Sequence, residues 1–218
     1  MTALSDAVIV HVFLAYCGFG MAVLAGIPLA VLSLRSRYAA ILVSFITGIG
    51  QAIPIFALVA LMVPLVGIGF IPSILVVFIS TLLPIVRSTF AGIASVDQGL
   101  IDAANGIGLT WKETLIKVRI PLSWHAIFSG LKFSSIIANG VAVITVFIGS
   151  GGLGTIILRG LARFYIPEIL TGIIPAIAIA LIADYLLSRL EERVTPPPLR
   201  DDKPFGRYPD AIKLPQLP

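Results

Sequence analysis

Side chains that could do chemistry are sparse in this sequence, and their spacing argues mostly by exclusion. Gly149-Ser150-Gly151-Gly152-Leu153-Gly154 satisfies the G-x-G-x-x-G spacing of a dinucleotide-binding turn. That turn functions between a strand and a helix, where its glycines let a pyrophosphate approach the backbone. Here a long apolar run precedes it and no βαβ pattern surrounds it, so it reads as a flexible, closely packed turn. A Walker loop would need Lys followed by Ser or Thr after its glycines, and that pair is missing. The sequence holds no Ser/His/Asp set and no His-x-x-Glu metal cluster. His11 lacks the partners a ligand would need and reads as an interfacial residue. The single cysteine, Cys17, excludes an internal disulfide and supplies no thiolate ligand set. The sequence predicts neither an enzyme nor a cofactor or metal site on this chain.

What does stand out is the polar island from Asp102 to Pro121, DAANGIGLTWKETLIKVRIP. Ser95-Val96-Asp97-Gln98 just before it has the spacing of a capping box, in which Ser95 would accept from the Gln98 N–H. A short helix through Asp102, Ala103 and Ala104 should break at Gly106 or Gly108, where no side chain opposes a left-handed turn. Thr110-Trp111-Lys112-Glu113 repeats the box and predicts a second start. Lys117 and Arg119 suit that helix's negative end, and Pro121 is expected to stop it. The predicted element is a helix–turn–helix between hydrophobic spans.

These residues resemble the signature loop of ABC importer permeases: an acid-Ala-Ala run, a glycine four residues on, and an aliphatic-x-aliphatic-Pro ending. Here they are Asp102-Ala103-Ala104, Gly108 and Val118-Arg119-Ile120-Pro121. The family usually carries Glu where this chain has Asp102, which keeps the charge. The resemblance implies that the loop, 95–121, docks on a cytoplasmic ATPase. Asp102, Thr110, Glu113, Val118, Ile120 and Pro121 would then transmit its movement, Gly106 and Gly108 would set the angle, and Ala103 and Ala104 would keep the docking surface small.

The elements that must hold this loop are membrane helices. The chain has 218 residues, of which 58% are hydrophobic and 12% charged, with a mean hydropathy of +1.05. That composition belongs to the membrane class, and continuously apolar runs favour helices over the alternating strands of a barrel. A net charge of +4 gathered in short loops fits membrane topology better than nucleic-acid binding. Residues 7–34 exceed the roughly 20 needed to cross the hydrocarbon layer. Arg35 and Arg37 follow, which places them in the cytoplasm and the N-terminus outside. Residues 38–86 contain no charge and fit two spans, joined by an outer turn among Pro64, Gly67, Gly69 and Pro72. Gln51 and Pro54, in the first of these, could line a path or bond a neighbouring helix. The same alternatives hold for Asn139 in a fourth span, from Trp124 to Ile148. Arg159 and Arg163 lie outside, free to meet a partner protein, lipid phosphate or Glu168. A fifth span covers about Tyr165 to Leu187, with Asp184 near enough to Arg189 for an interfacial ion pair. The resulting expectation is an all-α membrane protein with about five spans, a permease domain over 1–194 and a Pro-rich cytoplasmic tail over 195–218.

The stretch from Gln51 to Ile93 narrows the resemblance to osmoprotectant importer permeases. Gln51-Ala52-Ile53-Pro54, Gly67-Ile68-Gly69 and Leu83-Pro84-Ile85-Val86-Arg87 match their pattern, and the likeness runs from Ala7 to Glu192. It implies import of glycine betaine, carnitine or choline, although methionine-type permeases share the plan. It also implies ATP and Mg on a partner ATPase dimer, a second permease subunit, an extracytoplasmic binding protein and a bacterial inner membrane. An ion-coupled secondary transporter is the rival class; it would be expected to carry more intramembrane carboxylates than Asp184.

Overall fold

The computed structural model describes residues 4–196, and every regular element among them is helical. In chain order these are α1 (Leu4–Ser33), α2 (Arg37–Ala52), α3 (Ile55–Val66), α4 (Phe70–Ala94), α5 (Gln98–Gly106) and α6 (Trp111–Thr114). A π-helical turn (Leu115–Arg119) leads into α7 (Ile120–Leu122) and α8 (Trp124–Ile144), whose end tightens into a 3₁₀ turn (Thr145–Ile148). Two helices remain, α9 (Leu153–Ala162) and α10 (Ile166–Val194). Of the tail expected over 195–218, all but Thr195 and Pro196 lies outside the described residues.

Helices α1, α4, α8 and the extension of α8, and α10 are each long and apolar enough to cross a bilayer. The second expected span is not one straight helix. Pro54 has no N–H to continue the ladder, and α2 and α3 meet at 96° across it. Counting that bent pair as one span gives the five expected. The turn expected between the second and third spans is made by Gly67 and Gly69, both at positive φ (98° and 108°), while Pro64 and Pro72 lie within α3 and α4.

The core is the α1–α4–α8 trio. Leu14, Ala15, Val76, Val77, Ala138 and Ala142 are buried where these helices meet. Small residues set the separation: a Cβ on Gly18 would come 2.7 Å from Val77 Cβ, and one on Gly130 only 1.6 Å from Ser88 Oγ. In hydrocarbon, such close backbone approach is what drives helices together. At one end of the bundle the Glu191 carboxylate of α10 accepts from Lys132 Nζ and pairs with His125 Nδ1 of α8, both at 2.6 Å. At another turn Arg159 and Arg163 both pair with Glu168, the intrachain option among those expected. The Asp184–Arg189 pair does not form, because Arg189 donates instead to the Tyr185 hydroxyl (3.0 Å) and to Glu192 (3.3 Å).

The glycine-rich turn is tightly packed. Gly149, Gly151 and Gly152 take positive φ, and Ser150 is buried against Thr145 Oγ1 at 3.0 Å. It ends by starting α9, a helix in the stretch before the fifth span to which the sequence reading assigned no element.

Candidate functional site

The polar island folds as two short helical pieces about a glycine turn. The first box, expected at Ser95–Gln98, does not form. Ser95 is still in the helical region (φ −81°, ψ −3°), and its hydroxyl bonds back to the Gly92 carbonyl at 2.9 Å. The N-cap of α5 is Asp97, whose carboxylate accepts from the Leu100 N–H at 3.2 Å. Gln98 instead reaches forward and donates to Asp102 Oδ1 at 2.9 Å. Helix α5 ends at Gly106, and Gly108 takes φ 86°, so the break falls where the sequence placed it.

The second box is present in full. Thr110 Oγ1 accepts from the Glu113 N–H, and Glu113 accepts from the Thr110 N–H at 3.0 Å. Those bonds, with the Lys117 ammonium 3.1 Å away, hold the Glu113 carboxyl at about 2 against an ordinary 4.5. Pro121 does not stop the helix. The turn from Leu115 to Arg119 widens to i→i+5 bonding, and the Ile120 N–H closes on the Leu115 carbonyl. This widening comes just where the proline ring would strike the preceding turn, and the chain passes through Pro121 to break only at Ser123. The loop is thereby joined to α8 with almost no slack.

Exposure sorts the loop residues. Asp102, Ala103, Gly106 and Gly108 are exposed, whereas Ala104 is buried and packs inward, so its small size does not serve an outer surface. Leu100, Ile107 and Trp111 are exposed beside them, with Ile107 at 79%. The sequence reading gave these three no role; the signal that could have found them is an apolar side chain inside a polar island. Val118 and Ile120 are half-buried.

A second set of expected residues gathers at the α2–α3 bend. Gln51, Pro54, Ser80, Ile137 and Gly140 line a groove of about 450 Å³. Pro84 has no N–H to serve the carbonyl four residues back, and Gln51 Nε2 donates to that carbonyl, Ser80 O, at 3.4 Å. Asn139 is next to Gly140 in sequence but lies on another side of α8. It accepts from His11 Nε2 at 3.0 Å and donates to the Ala176 carbonyl at 3.1 Å, binding α1, α8 and α10 together. His11 is fully buried, which corrects its reading as an interfacial residue. Because Asn139 Oδ1 can only accept, the proton sits on Nε2, and Nδ1 has no partner.

The sequence profile of the binding-protein-dependent transport system inner membrane component matches residues 22–196. The chain belongs to that family. It is 34% identical to the carnitine transport permease protein OpuCB of Listeria monocytogenes over 90% of each chain. It is 36% identical to the glycine betaine/carnitine/choline permease OpuCB of Bacillus subtilis over 88% of this chain and 89% of that one. Its fold is similar to the MetNI methionine ABC transporter in an inward-facing form, with a TM-score of 0.78, 20% identity, and 88% and 96% of the two chains covered. This permease is thus the membrane subunit of an ABC importer, and the ion-coupled alternative falls. No group of three metal-ligating side chains occurs among its described residues.

Proposed function

We propose that this permease imports a quaternary-ammonium osmoprotectant such as glycine betaine, carnitine or choline, driven by ATP hydrolysed on a separate cytoplasmic ATPase dimer. One observation carries the substrate class. Relatives named for carnitine, choline and glycine betaine keep 34–36% identity across 85–90% of this chain, whereas the methionine transporter's likeness at 20% speaks for the fold alone. A methionine-like amino acid is the second reading, favoured only by that fold.

The loop, 95–121, is the point of energy input. Its exposed Asp102 and Ala103 meet the ATPase, and the capped piece from Thr110 passes movement through the π turn into α8. Gln51 and Pro54 border the path, at the face where a second permease subunit completes it. An extracytoplasmic binding protein delivers the substrate. With the N-terminus outside, loop, Arg35 and tail share the cytoplasmic side, as the distribution of basic residues favours.

The test is uptake by proteoliposomes holding the reconstituted complex, offered labelled glycine betaine, carnitine, choline and methionine in turn. Accumulation of methionine alone would overturn the substrate class. For the loop, Asp102→Lys and Gly108→Trp should abolish co-purification of the ATPase; unchanged association and transport would sink the docking role.

A further inference from the structure

Between the end of α1 and the start of α6 lies a notch that neither the docking role nor the path accounts for. It encloses about 540 Å³ and is lined by Leu34, Arg35, Thr110, Trp111 and Lys112. Arg35 and Lys112 are exposed, as is nearby Arg37, and none of the three forms an ion pair among the described residues. The acids of the adjoining loop are already committed. Glu113 is taken by Thr110 and Lys117, Asp102 by Gln98, and Asp97 by the Leu100 N–H. No carboxylate among the described residues pairs with these cations, which leaves them open to an external anion.

Depth points to its source. Helix α1 has 30 residues, which at 1.5 Å per residue is about 45 Å. That equals a bilayer's thickness including both headgroup layers, roughly 40–45 Å. Arg35, two residues past the end of α1, therefore sits at headgroup level. Trp111 is 46% exposed beside it, and an indole with one apolar face and one N–H donor favours that same layer. Basic pockets between membrane helices suit anionic headgroups. This placement holds whichever side of the membrane the loop occupies.

We propose that the notch binds the phosphodiester headgroup of an anionic phospholipid, with Arg35 and Lys112 pairing its oxygens and Trp111 against its glycerol region. A lipid so held clips the start of the second capped piece to the end of α1, and it makes the loop's orientation depend on the anionic content of the surrounding leaflet.

Trp111 is also the reporter. The chain has two tryptophans, so the full chain carrying Trp124→Phe leaves Trp111 alone. Reconstituted in phosphatidylcholine vesicles, its fluorescence is titrated with brominated phosphatidylglycerol or brominated phosphatidylcholine. Half-maximal quenching should need several-fold less of the anionic lipid, and Arg35→Gln and Lys112→Gln should each raise that mole fraction by about fivefold. The double variant Arg35→Lys/Lys112→Arg should retain the preference. Equal half-points for the two lipids, or a preference surviving the double Gln substitution, would overturn the site. Loss of preference in the charge-conserving pair would overturn the charge assignment. Displacement of the lipid by millimolar glycerol 1-phosphate would assign the notch to a soluble phosphate and overturn the lipid.

Discussion

Gly130→Ala tests the close contact of α4 and α8, the pair on either side of the polar loop. The added Cβ would stand 1.6 Å from Ser88 Oγ and 2.4 Å from Ser88 Cβ. Rotating the serine, whose hydroxyl bonds the Ile85 carbonyl at 3.2 Å, removes the first clash but not the second. The helices must move apart, at an overpacking cost of about 1–3 kcal/mol. Against this, alanine gains about 1 kcal/mol of helix propensity over glycine. A contact this close lies towards the upper end of that cost, so the clash wins by up to about 2 kcal/mol, or a melting point lower by up to about 8 °C. The half-buried Cys17, the sole thiol, reports unfolding of the purified chain through a thiol-reactive dye. Gly20→Ala is the control: no atom lies within 4 Å of its Cβ position, so it should melt unchanged or higher. In the Gly130→Ala background, Ser88→Ala should recover little, since it keeps the Cβ at 2.4 Å, whereas Ser88→Gly should restore the melting point. A Gly130→Ala protein as stable as the parent, or full rescue by Ser88→Ala, would refute the packing argument.

Other perturbations follow from the same contacts. Asn139→Leu removes two interhelical bonds at about 0.6 kcal/mol each in a bilayer and strands the His11 donor; adding His11→Phe should recover most of the loss in the thiol assay, and strictly additive losses would deny the coupling. Glu113 has its carboxyl lowered to about 2, so its contribution is complete above about pH 4.5 and fades as pH falls towards 2. Hydrogen-exchange protection of the Thr110–Glu113 amides should decline over that window, and a flat profile would count against the cap. Thr110→Ala should cost about 1 kcal/mol in the same element, read as faster exchange there and nowhere else. Phe164 takes φ 53° and is 91% exposed; Phe164→Gly should raise stability by roughly 1 kcal/mol, and a lower melting point would show that the ring is held by something.

What the sequence made legible was local. The Thr110–Glu113 box, the break at Gly106–Gly108 and the membrane-length apolar runs each depend on residues a few positions apart, and the structure keeps them. The Ser95 box failed by two positions because the spacing suits both a cap and a back-bonded serine; only the backbone angles at Ser95 and Asp97 decide between them. What lay hidden was long-range or geometric. His11 and Asn139 are 128 residues apart, so nothing near His11 announced a partner. Pro54 foretold a break in the ladder but not its 96° angle.

Pro121 and Pro84 show how one rule gives opposite outcomes. At each, a missing N–H leaves a carbonyl one turn back to be served by other means. Before Pro121 the backbone solves the conflict itself by widening into a π turn, so the helix passes through Pro121 and breaks only at Ser123, next to α8. At Pro84 the helix continues and the orphaned Ser80 carbonyl takes its donor from Gln51, across the groove on another helix. The first solution leaves only Ser123 between the polar loop's last helical turn and α8. The second ties α2, next to its bend, to α4 by a single long hydrogen bond at 3.4 Å. Since α8 itself borders that groove through Ile137 and Gly140, the movement proposed to enter at the loop would reach the groove along α8. On that proposal, the long Gln51–Ser80 hydrogen bond is the contact there that would give way first.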